Sequence, residues 1–287
     1  MEVGLVLKDP ACALVKRIAG SAEQQGFGDL LFTELSVLGG ERITGRDPFV
    51  SASIALGATT LLRAGTGIAG TVFHSARHLA LRAATLQEQS GGRFILGCGV
   101  SHRAFADLIG VPYPRSPLTH TATYLEDLRA VNQQLAFGSP APVWLAALGD
   151  RMAAVGGAHA DGLVLNWVSP EWTRRTLEHV VAETGQRPSI AVFLRLDTTN
   201  ELTTAADRYL RMFDNYARHF ARQGLPDAAS VVEATCARLD APTLLAERVS
   251  AYHEAGADHV LLYPADVDAA RIAMFVATTD AAALRKG

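Results

Sequence analysis

Short apolar runs alternate with longer stretches of helical periodicity from one end of the chain to the other, the pattern of successive βα units. Strands are predicted at residues 2–7, 29–32, 62–68, 93–98, 143–147, 162–166, 189–195 and 258–263. Most are continuous rather than alternating, such as Val-Gly-Leu-Val-Leu and His-Val-Leu-Leu-Tyr. A strand reads that way when helices cover one face and a barrel interior fills the other. Between strands, residues 11–25 carry Ala, Leu, Val and Ile near helical spacing and stop at Gly26. Ser169-Pro170-Glu171 supplies a cap, a first-turn proline and a first-turn acid for a helix over 172–183. Eight such strands with intervening helices in 287 residues predict one α/β domain over residues 1–287, a (β/α)8 barrel. The rival, a doubly wound sheet, would need a second domain and a linker, and no shift in composition supplies one.

The spacing is uneven in two places. Residues 101–118 read as a loop in which Pro112, Pro114 and Pro117 forbid a continuous helix. Residues 198–241 form a helical insertion after strand 7, and 207–223 within it read as one amphipathic helix with aromatics on one side. A barrel puts its working groups on loops that follow strands, so both excursions are candidate site walls. A packed surface helix would give 207–223 the same pattern.

Composition narrows the chemistry. The chain is 49% hydrophobic and 19% charged, with 26 Lys+Arg against 29 Asp+Glu and a net charge of −3. That balance offers no basic field for a nucleic acid or an anionic membrane, which leaves small-molecule chemistry. The first residues enter an apolar run without the features of a signal peptide, and no apolar stretch reaches the roughly 18 residues that span a bilayer. A cytoplasmic protein is the expectation. Cys12, Cys98 and Cys236 are odd in number, far apart and without CxxC spacing, which argues against a disulfide framework or a structural zinc site.

The densest chemical signal lies between Leu62 and His102. Gly65-Thr66-Gly67-Ile68-Ala69-Gly70 ends a strand with three alternating glycines, a sign of close backbone approach by a ligand or of a tight bend. Gly97-Cys98-Gly99-Val100-Ser101-His102 ends the next strand with small residues and then two polar ones, leaving room for a flat ring over a barrel mouth. A Rossmann fingerprint fails because His102 stands in place of the third glycine, and a nucleophile elbow fails because Arg103 stands in place of the second. His74 and His78 are four apart, but Ser75 occupies the position where a metalloprotease needs its glutamate, so no metal site is expected.

These residues resemble the luciferase-like flavin and deazaflavin oxidoreductases, and among them the actinobacterial subgroup that uses coenzyme F420. The resemblance covers most of the chain. It is carried by Gly45-Arg46-Asp47-Pro48-Phe49, Gly65-Thr66-Gly67-Ile68, Ser90-Gly91-Gly92-Arg93-Phe94-Ile95-Leu96-Gly97, Gly99-Val100-Ser101-His102, Ala146-Ala147-Leu148-Gly149-Asp150-Arg151-Met152, Ala160-Asp161-Gly162 and Ala255-Gly256-Ala257-Asp258, in that order. It implies a luciferase-like barrel that transfers hydride between F420 and a small organic molecule, and a homodimer. FMN-dependent oxygen chemistry is the alternative, and a non-catalytic cofactor-binding protein the second.

The resemblance also implies a site. A non-prolyl cis peptide is expected at Gly67-Ile68, next to Ala69 and against one face of the cofactor ring. Gly99, Val100 and Ser101 would run along the pyrimidine edge with backbone N–H groups. Ala147, Gly149, Arg151 and Met152 would lie by the cofactor's side chain and phosphate at a helix start, where Asp150 suits an anion only if it faces away. Relatives carry a histidine after the acidic residue at the end of the second strand; Leu35 stands there in this chain, after Glu34. Acid–base work is therefore expected of His102, whose ordinary pKa lies close to working pH, with Glu34 as second candidate. His102 would otherwise only position a ligand, and Glu34 only cap or pair. His74 and Tyr216 are expected at the substrate.

Overall fold

The computed structural model describes residues 2–34, 45–239, 243–264, 275–276 and 278–285, and its strands form one parallel sheet. These are β1 (Glu2–Leu7), β2 (Asp29–Phe32), β3 (Arg63–Gly70), β4 (Phe94–Gly99), β5 (Val143–Ala146), β6 (Gly162–Asn166), β7 (Ser189–Asp197), β8 (Cys236–Arg238) and β9 (His259–Pro264). β1 pairs with β2 and β9, β9 with β7, and β7 with β6, so eight strands close a barrel. A doubly wound sheet would stay open. β8 pairs with the outer end of β7 and lies outside the closed ring.

Helices α1 (Cys12–Gln24), α2 (Pro48–Ala58), α3 (Ala76–Ser90), α4 (Arg103–Ile109), α5 (Pro117–Gln134), α6 (Asp150–His159), α7 (Pro170–Thr184), α8 (Thr199–Met212), α9 (Asp214–Arg222), α10 (Ala228–Thr235) and α11 (Thr243–Glu254) surround the barrel. Local chemistry sets their ends. Asp47, Ser75 and Ser169 accept N–H groups of the first turns of α2, α3 and α7, while Gly91 and Gly185 take the left-handed conformation that ends α3 and α7. Among the described residues no helix is long and apolar enough to cross a membrane.

Strand residues alternate between two apolar layers. Ile190, Val192, Leu194 and Leu196 of β7 join the shell under the helices, whereas Ala191 and Phe193 join Val6, Leu31, Ile95, Trp144, Val164 and Leu261 in the lumen. Below them, Arg63 Nη2 lies 2.7 Å from Asp29 Oδ1, and His259 Nδ1 lies 2.8 Å from Asp29 Oδ2. This set, built on the fully buried Asp29 with Arg63 reaching the surface, plugs the N-terminal end of the barrel. His259 is part of it.

Two expectations need correction. Residues 101–118, read as a loop, contain α4, which stops at the left-handed Gly110 before the prolines begin; Pro117 then opens α5. Residues 207–223, read as one helix, are two. Phe213 adopts an extended backbone (φ −131°, ψ 99°) that separates α8 from α9. The break lets its ring turn inward over His102, with centroids 4.4 Å apart and the planes tilted by 33°. Insertion residues also supply β8, which the pattern does not predict. Leu35 lies outside the described residues.

Candidate active site

At the C-terminal mouth of the barrel is a cavity of about 190 Å³. One side is the end of β3, where the two residues between Thr66 and Ala69 lie opposite the one between Leu96 and Cys98 on β4. The extra residue makes a bulge at Gly67 and Ile68, whose peptide bond is cis, as the resemblance implies. Glycine is required around it by contact: a Cβ on Gly97 would strike the Thr66 carbonyl oxygen, and one on Gly65 that of Ile95. Gly67 faces the barrel floor, its Cβ direction blocked by Leu31 at 2.9 Å and Phe193 at 3.2 Å. Bulk there would overpack the lumen before it reached a ligand.

Three residues just past strand ends, Asp9, Ser101 and Trp167, hold left-handed backbone with φ of 48°, 68° and 56°. Such conformations in non-glycine residues concentrate where a loop is held for function. Ser101 lines the cavity, and its carbonyl accepts the Tyr113 hydroxyl at 3.2 Å. Asp9 is tied to Arg46 at 2.7 Å, so the Gly45-to-Phe49 motif anchors a loop and caps α2. Ser90-to-Arg93 and Ala255-to-Asp258 are also structural. Arg93 donates to the carbonyls of Leu62 and Leu56, and Asp258 accepts the Ile190 N–H at the starts of strands.

Glu34 and His74 come together. Glu34 lines the cavity; its Oε2 accepts the Gly70 N–H at 2.7 Å, and its Oε1 lies 2.6 Å from His74 Nε2. Arg82 Nη1, which can only donate, lies 3.3 Å from His74 Nδ1. His74 therefore carries its hydrogen on Nε2 and donates it to Glu34. Expected at the substrate, His74 instead orients Glu34 from behind. His78 is bonded to Ser75 on the exposed start of α3.

His102 lines the cavity but not with an ordinary pKa. Burial among Phe213, Phe105 and Tyr216 pushes it from 6.5 down to about 4, so it is neutral at pH 7 and serves as a wall. The premise of its acid–base assignment does not hold. His219, buried beneath Trp172 and bonded to the Trp167 carbonyl, is likewise lowered to about 4, chiefly by burial. The unfolded chain takes up protons at both positions below pH 6.5 while the fold does not. Stability from these groups is complete above that pH and falls as the pH drops toward 4, by up to about 1.4 kcal/mol per pH unit for each. The loss of Tm between roughly pH 7 and pH 5 is expected to shrink in His102→Phe; an unchanged loss would refute it.

Of the other expected residues, Gly67, Ile68, Ser101, Ala147 and Tyr216 line the cavity. Ala69, Gly99 and Val100 do not; Ala69 and Gly99 contribute backbone pairing behind the wall. Gly149 and Met152 line a trough that shares His102, Ala146, Leu148 and Asn215 with the mouth. The trough runs on into a hollow lined by Gly149, Asp150, Arg151, Met152, Arg175 and Arg222. There Gly149 opens α6 with no side-chain cap, and Asp150 turns to Arg175 at 3.2 Å. Missed from sequence were Asn166, Arg195, Tyr209 and Tyr263, which complete the mouth. Asn166, Arg195 and Tyr263 fall on the inward phase of their strands, a period-two signal that could have found them.

The family model for luciferase-like monooxygenases matches residues 4–259. A 5,10-methylenetetrahydromethanopterin reductase of Methanolobus tindarius is 26% identical over 59% of this chain and 54% of the reductase, so the chain spans about half that relative's length. Among solved structures, an F420-dependent secondary alcohol dehydrogenase in complex with an F420–acetone adduct matches with a TM-score of 0.75 at 16% identity, over 96% of this chain and 97% of the other. A riboflavin lyase with modified FMN and riboflavin gives 0.72 at 14% identity, over 100% and 91%. At such identities the likeness is one of fold.

Proposed function

This chain belongs to the luciferase-like monooxygenase family, and on that premise we propose that it transfers hydride between coenzyme F420 and a small organic molecule at the barrel mouth. The observation that carries this reading is a continuous path. A mouth walled by backbone opens into a trough, and the trough ends among Arg151, Arg175 and Arg222 beside the uncapped start of α6. A redox ring with a chain and a terminal anion has that sequence of needs: a flat wall, a groove, then N–H groups and cations. The wall also holds an orphan, because Thr33 Oγ1 lines the mouth and is buried without a hydrogen-bond partner among the described residues.

When bound, the deazaflavin ring would supply the hydride chemistry. Gly67, Ile68, Ser101 and Ala147 would hold it at the mouth, His102 and Leu148 would flank the way out, and Gly149, Arg151 and Arg222 would receive the anion. Glu34 is the group placed to exchange a proton, its carboxylate held at one oxygen by Gly70 N–H and at the other by His74. The rings of His102, Phe105, Tyr209 and Tyr216, which line the mouth, would shield a bound ring from water. A cytoplasmic homodimer is part of the same proposal.

Titration with F420 and with FMN, followed by ring fluorescence, tests it. F420 is expected to bind in preference to FMN, and Arg222→Glu to weaken F420 binding at least about tenfold by replacing attraction with repulsion at the anion. Preference for FMN would replace the deazaflavin reading with an oxygen-using flavin monooxygenase. Binding of neither would end the redox reading, and F420 binding without oxidation of its reduced form by any acceptor in a panel of neutral quinones and unsaturated organic acids would leave a non-catalytic binder.

A further inference from the structure

The wall facing the β3 bulge is built around a buried cation. β3 and β7 stand four strands apart in either direction round the barrel, so they face each other across the lumen. Arg195 projects from the end of β7, is only 4% exposed and lines the cavity. Its Nε donates to Asn166 Oδ1 at 3.3 Å and its Nη2 to the Tyr209 hydroxyl at 3.2 Å. Its guanidinium carbon lies 3.7 Å from the centroid of the Tyr263 ring and 5.1 Å from that of Trp167. Among the described residues, Arg195 makes no ion pair and its Nη1 no hydrogen bond.

An arginine cannot escape this position by losing its proton. Aromatic faces attract a cation, but they do not satisfy its remaining N–H groups. A buried charge with no ion-pair partner among the described residues is retained where something else supplies the opposite sign. The neighbouring donors point the same way. Tyr216 Oη accepts Asn166 Nδ2 at 2.9 Å and Tyr209 Oη accepts Arg195, so both hydroxyls have their own hydrogens to give, and both line the cavity. The acid on the cavity wall, Glu34, stands on the β2 side and is already held by Gly70 and His74.

We propose that Arg195, with the hydroxyl of Tyr216, receives a carboxylate of the substrate, so that the protein acts on a small organic acid with an apolar body. A planar carboxylate matches the open edge of one guanidinium, whereas a phosphate would call for more cations than this aromatic wall holds. The assignment rests on the redox-ring reading only in giving the anion to the substrate; the cofactor's own anion belongs to the arginines at the end of the trough.

Benzoate and its neutral isostere benzamide are the probes. Each is titrated into the protein with and without F420, and binding is followed by calorimetry and by tryptophan fluorescence. Benzoate is expected to bind at least tenfold more tightly than benzamide, Arg195→Gln to abolish that preference, and Arg195→Lys to restore part of it. Equal affinities, binding of neither probe, or a preference that survives Arg195→Gln would overturn the proposal. So would an Arg195→Gln protein whose main loss is affinity for F420, which would make the arginine a cofactor residue. Because benzoate preference is also read without F420, its failure is distinguishable from failure of the cofactor reading.

Discussion

Glutamine in place of Glu34 is expected to lower turnover about 100-fold or more while leaving F420 affinity within a few-fold of the original, since in the proposed mechanism the loss is of the proton-exchanging group and not of a binding wall. The substitution is nearly isosteric. The amide oxygen can still accept the Gly70 N–H that Glu34 Oε2 accepts at 2.7 Å. The amide nitrogen, however, would face the Nε2–H of His74 across the present 2.6 Å contact, donor against donor, with Arg82 holding the imidazole in that tautomer from the other side. What is removed is the carboxylate to which the proposed mechanism gives the proton exchange. Oxidation of reduced F420 by menadione, followed through the returning ring fluorescence, measures the rate, and a fluorescence titration measures affinity. A rate within threefold of the original, with the same pH profile, would return Glu34 to the role of a loop tie. His74→Gln is expected to act in the same direction but less strongly, because His74 orients the carboxylate from behind.

Alanine at Gly97 is expected to cost about 3 kcal/mol of stability, near the upper end for overpacking, because the obstacle is backbone. The added Cβ would strike the Thr66 carbonyl oxygen, and Thr66 is itself fixed by a hydrogen bond from its hydroxyl to the Gly97 carbonyl at 2.6 Å. β3 cannot retreat without losing the bulge that walls the cavity. A glycine free of neighbours supplies the control. Gly57 sits on the exposed face of α2 with nothing within 4 Å of its Cβ direction. Gly57→Ala is expected to stabilise by about 0.5–1 kcal/mol, the helix penalty of glycine. Urea denaturation of the three proteins measures both signs. Gly97→Ala as stable as the parent would mean that β3 and β4 are not pressed together as described.

The barrel was legible because its evidence is local. A continuous apolar run such as Val-Gly-Leu-Val-Leu describes a strand buried on both faces wherever it stands, and Ser169-Pro170-Glu171 starts a helix by the hydrogen bonds of its own first turn. Half of the site was legible for the same reason. Gly65 and Gly97, each in a run of alternating glycines, mark a close approach of two backbones, and the close approach is there. Register carried more than was drawn from it: in Ser189–Asp197 the inward phase that buries Ala191 and Phe193 brings Arg195 into the mouth.

The rest depends on meetings between distant segments. The role of His102 turns on Phe213, more than a hundred residues away, whose backbone leaves the helical region so that its ring can cover the imidazole and lower its pKa. No periodicity in 207–223 announces that break, because the packing gained inside outweighs the local preference for one helix. Glu34 and His74 are each a candidate when read alone, and only the closure of β2 against β3 makes them a pair. Order, length and register of the elements follow from pattern and capping, which act over a few residues. Protonation, tautomer and partner at the mouth follow from desolvation and contact, which exist only once the eight strands have closed.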